Sequence, residues 1–201
     1  MKINPILFNT EMVRAIIEGR KTVTRRIVSQ SVWENFVFED GKVINYLDKK
    51  RNILESPLYK APYQPGDILY VREKWCENPN YKEFYYAAKR APGVSAPYGL
   101  RWRPSIHMPR EAARIWLKVT DVRVERLQAM TLDDCLSEGV TVRPEAFNDP
   151  ENAYLQAKEN FTAIWDGTIK QEKREIYGWD VNPWTWVIAF ERCDKPEEWN
   201  Y

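Results

Sequence analysis

The sequence has one histidine, His107, and only three cysteines, Cys76, Cys135 and Cys193, in 201 residues. The cysteines are odd in number and far apart, and no Cys-x-x-Cys pair occurs, which argues against both a disulfide framework and a zinc site. A single histidine makes a Ser-His-Asp or Cys-His mechanism a poor bet. No glycine-rich phosphate loop is present, so no cofactor and no metal are expected. No apolar run approaches the ~20 residues that span a bilayer, and the N-terminus lacks a signal-peptide apolar core. The expectation is a cytoplasmic protein with no membrane partner. An excess of one charge sign is also missing: 30 Lys and Arg against 29 Asp and Glu give a net charge of +1. Coating a phosphate backbone needs many unpaired cations, so a broad nucleic-acid surface is disfavoured, while a local basic cleft is not.

Aromatic residues are abundant, with nine Trp and eleven Tyr, and the hydrophobic share of 44% and charged share of 29% are those of an ordinary globular chain. One stretch concentrates chemistry: Gly19-Arg20-Lys21-Thr22-Val23-Thr24-Arg25-Arg26. Before it, Met12, Val13, Ile16 and Ile17 recur at helical spacing, and Gly19 falls where a left-handed cap ends a helix. After it, Thr22 to Val28 is β-branched and alternating, so it reads as a strand. Strand parity puts Thr22, Thr24 and Arg26 on one face and Val23 and Arg25 on the other. Lys21 lies at the bend and is free of that parity, so an amine, a hydroxyl and a guanidinium can converge there. A solvated basic turn that complements the helix end satisfies the same pattern.

The rest of the chain supplies a first strand at Lys2 to Phe8 and a hairpin signal at Asp40-Gly41. Further strands are expected at Ile68 to Arg72, Phe84 to Ala88, Arg114 to Thr120 and Val122 to Leu127. Thr131 opens a helix with a capping-box arrangement that ends at Glu138-Gly139. Asp149-Pro150 opens another, with Tyr154, Ala157, Phe161, Ile164 and Trp165 as its apolar stripe. Trp184 to Arg192 is apolar on both faces and should be a central strand. Short strands parted by turns, with helices at the side, predict an α+β fold: a small, mostly antiparallel β-barrel with flanking helices. We expect one domain over residues 1–194, inserted segments at about 29–63 and 78–108, and a loose tail at 195–201.

These stretches, in this order, resemble the ASCH domain of the PUA-like superfamily. Gly19-x-Lys21-x-x-Thr24-x-Arg26 resembles its signature, which usually has glutamate where this chain has Thr24. Pro65-Gly66-Asp67-Ile68-Leu69-Tyr70-Val71, the unit from Val119 to Gly139, and Trp186 to Phe190 are similar to its other conserved segments. The run from Trp102 to Arg110 resembles a subgroup common in phage and prophage genomes. Some members are thought to bind RNA beside the signature, and a small bacterial branch hydrolyses N4-acetylcytidine with a lysine, a threonine and a glutamate. The resemblance carries those three roles to Lys21, Thr24 and Glu138. It implies an amidohydrolase acting on N4-acylated cytidine-type nucleosides, or a non-catalytic module for single-stranded RNA, or a ribonuclease using the same cleft.

For amide hydrolysis, Thr24 Oγ1 is the candidate nucleophile or the group that orients water. Lys21 serves as base if burial or neighbouring arginines lower its pKa, and Glu138 moves the proton or holds Lys21. Ordinary helix-end and salt-bridge roles for Glu138 fit equally well. Arg25, Arg26, Arg72, Trp75 and Arg110 are the candidate substrate or RNA contacts, Trp75 by base stacking, although core packing explains a tryptophan more simply.

Overall fold

The computed structural model describes residues 1–197; of the tail expected at 195–201, residues 198–201 lie outside the described part. The chain runs β1 (Ile3–Leu7), α1 (Thr10–Ile17), β2 (Val23–Ile27), α2 (Gln30–Trp33), β3 (Phe36–Glu39), β4 (Lys42–Leu47) and β5 (Ile53–Leu54). It continues through β6 (Ile68–Arg72), β7 (Trp75–Asn78), β8 (Glu83–Tyr86), β9 (Trp116–Arg126), α3 (Leu132–Ser137), α4 (Pro150–Thr168), α5 (Arg174–Tyr177) and β10 (Trp184–Cys193). None of the described helices is long and apolar enough to cross a membrane.

The main sheet has the order β1-β6-β9-β10-β2, antiparallel except for the parallel pair β1 and β6. This is an α+β architecture. The expected barrel is not closed by backbone pairing: β1 and β2 end the order, and no ladder joins them among the described residues. Pro5 sits in β1 and has no N–H to donate, which suits an edge. Its carbonyl instead accepts from the Tyr63 hydroxyl, and Arg26 Nη2 reaches the Leu7 carbonyl at 3.1 Å. Side chains bridge the seam that strands do not.

A second difference concerns 114–127. The two strands expected there form one, β9, because a bulge absorbs the change of phase: Ala189 pairs with Asp121 and Phe190 with Val119, leaving Thr120 as the extra residue. β10 lies between β9 and β2 and is buried on both faces. Trp184, Trp186, Ile188 and Phe190 enter the main core, and Thr185 and Val187 are buried on the other side. The segment at 29–63 is part of that core: Phe36 packs edge-on against Trp184 and Trp186. Asp40 and Gly41, at φ +48° and +75°, make the expected tight turn between β3 and β4. The segment at 78–108 carries β8 against β7 and receives Arg14, which donates to the carbonyls of Ala87, Ala88 and Arg90. A second core forms where Ala157, Phe161 and Trp165 of α4, four residues apart, meet Leu127, Met130 and Cys135 around α3.

Candidate functional site

Two helix exits are clipped together. At the end of α1, Gly19 takes φ +77°, and the N–H groups of Arg20 and Lys21 both return to the Ala15 carbonyl. At the end of α3, Gly139 takes φ +88°, and Thr131 and Asp134 close the capping box at the other end. Lys21 and Glu138 face each other in an isolated antiparallel bridge, with Thr22 N–H bonded to the Ser137 carbonyl at 2.9 Å. Residues 117 apart in sequence are thus held by backbone before any side chain acts.

Lys21 Nζ donates to Glu138 Oε2 at 2.6 Å, to the Glu138 carbonyl at 2.9 Å and to the Val23 carbonyl at 2.7 Å. The lysine side chain is 0% exposed and the glutamate side chain 4%. Three acceptors use the three donors of an ammonium, one more than a neutral amine has. Burial lowers the Lys21 pKa, and the Glu138 carboxylate opposes that shift. The geometry therefore describes an ammonium–carboxylate pair whose proton is held more weakly than a solvated lysine's.

On the other face of β2, Arg25 is enclosed and touches three carboxylates: Asp134 at 3.1 Å, Glu125 at 3.3 Å and Glu138 at 3.4 Å. Its Nε has no partner. Glu138 is thereby shared between Lys21 and Arg25. Thr24 and Arg26 form a separate couple on the core-facing side, paired across to Ile188 and Trp186. Arg26 Nη1 donates to Thr24 Oγ1 at 3.0 Å, and Thr24 is 1% exposed. No hydrogen bond joins Thr24 to Lys21. The two groups are linked through Phe8, whose ring lies 5.6 Å from Lys21 Nζ and 5.4 Å from the Arg26 guanidinium. Tyr63 stands near Arg26, which partly offsets the upward push of burial on its hydroxyl.

The remaining candidates lie apart from this cluster. The Arg72 guanidinium turns to the carbonyls of Ile106 and Met108. Trp75 is 2% exposed, packed with Phe84 and Met108 and covered by Arg103, so it offers no open ring face for a base. Arg110 is exposed at the start of a single turn, Arg110–Ala112. Sequence reasoning missed Phe8, Tyr63, Glu125 and Asp134 as neighbours of the basic stretch. The alternation of β2 placed Arg25 on a second face but did not say which carboxylates wait there.

Asp134 makes the pH dependence of this network testable. Burial pushes its carboxyl up, but the Thr131 N–H and hydroxyl and the Arg25 charge outweigh burial and leave it below the ordinary carboxylate value. A depressed folded pKa contributes stability that is present above the unfolded pKa and is lost as pH falls through the folded one. Asp134→Asn should therefore be less stable than wild type near neutrality, with the gap shrinking on acidification into the carboxylate range. Urea unfolding at a series of pH values checks this, and a gap that does not narrow would contradict the assignment.

A groove of about 440 Å³ approaches Glu138 from the side of α1 and α4, lined among others by Met12, Arg20, Gly139 and Asn160. No family model matches the chain, and no curated protein does. Among solved structures, it is similar to the ASCH domain from Lactobacillus crispatus JV V101, at 13% identity and a TM-score of 0.40, over 95% of this chain and 79% of that one. At that degree of likeness the side chains themselves must carry the functional argument.

Proposed function

We propose that the chain is an ASCH-type, PUA-like hydrolase acting on N4-acylated cytidine-type nucleosides, with Glu138, Lys21 and Thr24 as its working groups. The observation that carries the reading is the buried Lys21 ammonium held 2.6 Å from the carboxylate of Glu138, a residue that lines a groove. Glu138 accepts the proton of the attacking water and returns it to the exocyclic amine as the acyl C–N bond breaks and the acyl group leaves as its carboxylic acid; where Thr24 attacks first, water then hydrolyses the acyl-threonine. Lys21 steadies the carboxylate charge and, with its pKa lowered, is the more ready proton donor of the pair. The Arg26 N–H on Thr24 Oγ1 favours negative charge on that oxygen, which suits a nucleophile. Thr24 and Lys21 are both enclosed, so turnover requires the seam between β1 and β2, crossed by the bond from Arg26 to the Leu7 carbonyl, to open.

The RNA-binding alternative, and with it the ribonuclease, draws less support. Two of its expected contacts, Arg25 and Trp75, are enclosed and already partnered. The test is release of cytidine from N4-acetylcytidine by purified protein. Lys21→Ala, Thr24→Val and Glu138→Gln should each lower turnover by about 10²–10⁴-fold, with circular dichroism confirming that they fold. Wild-type turnover no greater than that of Lys21→Ala rejects the hydrolase. Salt-dependent binding of single-stranded RNA without turnover would favour the binding module.

A further inference from the structure

The eleven-residue strand β9 outruns its neighbour on one side. β6 pairs only with Trp116 to Lys118, whereas β10 pairs along the whole strand. The phase of the β9–β10 ladder is set by the bond from Leu127 N–H to the Pro183 carbonyl. In an antiparallel pair, bonded and non-bonded positions alternate. Glu125 and Arg123 therefore bond to β10, while the N–H and C=O groups of Val122, Val124 and Arg126 point to the open edge. No backbone hydrogen bond from another element reaches those three residues among the described residues.

This edge borders a groove of about 510 Å³. The opposite wall is the β3–β4 hairpin at Gly41 to Val43, where β4 is also single-sided, because β5 pairs only with Tyr46 and Leu47. Leu58, Val122, Val124 and Trp184 make the lining largely apolar. An unpaired strand edge beside an apolar slot is the arrangement that accepts an added strand. The span from Val122 to Arg126 is roughly 13 Å at the usual strand rise.

Charge selects among extended segments. Lys42 and Arg126 border the groove, and neither forms an ion pair among the described residues. Arg126 rests on the Trp184 ring at 4.3 Å and gives one bond to the Asn182 carbonyl. The carboxylate in the lining, Glu125, is committed to Arg123 and Arg25. We infer that this groove binds an extended peptide segment of a partner protein, alternating apolar and acidic residues, as an added strand on the open edge of β9. The inference is independent of the chemistry at Lys21.

The probe is a blocked hexapeptide alternating valine with glutamate, titrated into the intact protein and followed by amide hydrogen exchange. Exchange at Val122, Val124 and Arg126 should slow by about tenfold or more, while Arg123 and Glu125, already bonded to β10, stay unchanged. The surface variant Lys42→Glu with Arg126→Glu should weaken the peptide by about tenfold or more without unfolding the protein. Absence of protection at these three amides, or equal binding of the same peptide with lysine for glutamate, overturns the proposal. Protection that appears with rising protein concentration alone, or only with an RNA oligonucleotide, overturns it in favour of a second copy or a nucleic acid.

Discussion

Glu138→Ala is expected to destabilise the protein by about 3–5 kcal/mol, because it leaves a buried ammonium and a buried guanidinium without their shared carboxylate. Lys21 loses its 2.6 Å partner, and Arg25 loses one of three. Lys21→Met should cost clearly less. Glu138 would keep Arg25 and remain compensated, and the methionine fills most of the lysine's volume in an enclosed place. The double variant Lys21→Met with Glu138→Gln should recover part of the loss from Glu138→Ala, since it removes the charge on both sides. Urea unfolding of the three variants checks the order. If Lys21→Met proved as damaging as Glu138→Ala, the lysine would be contributing more than its charge pairing. This experiment reads stability, so it stands whether or not N4-acetylcytidine is a substrate.

Gly139→Ala should be of similar severity, by a different cause. At φ +88° an L residue is strained, by about 1–2 kcal/mol. The added methyl would also lie 2.8 Å from Ala15 Cβ and 3.1 Å from Lys21 Cβ. Overpacking of that kind costs about 1–3 kcal/mol, giving about 2–5 kcal/mol in all. The two parts can be separated. Adding Ala15→Gly relieves the closest contact but not the backbone strain, so the double variant should recover part of the loss beyond what Ala15→Gly itself costs within α1. Gly139→Ala with wild-type stability would mean that the two helix exits do not approach as closely as described. The glycine is required here because α1 and the start of β2 come close to the end of α3, and that approach brings Lys21 to Glu138.

Much of this was readable in advance because it is local chemistry. Gly19 and Gly139 mark helix ends, Thr131 and Asp134 a capping box, Asp40-Gly41 a hairpin, and the two apolar faces of Trp184 to Arg192 a buried strand. These features depend on residues within one turn or one strand of each other. The unity of β9 was not readable, because a bulge at Thr120 breaks the alternation of its side chains just as a gap between two strands would. Nor was the burial of Arg25, since charge describes a side chain but not what packs over it, whereas core packing was already the simpler reading of Trp75. The approach of Lys21 to Glu138 was anticipated only from the likeness of the flanking segments to a known family. No periodicity relates positions so far apart. The parity of β2 separated Thr24 from Arg25 correctly, but nothing in it indicated that Lys21 would spend its donors on Glu138 and Val23 rather than on Thr24.

The order of the main sheet also bears on how the protein is made. β1 pairs with β6, and β2 pairs with β10. On a nascent chain leaving the ribosome β1 stays unpaired until residue 72 has emerged, and β2 until β10 has followed. Contacts so distant in sequence are slow to form. The segment that carries Lys21 is thus made well before the strand that seats it, and until β10 follows the polypeptide has the parts of the site without the site.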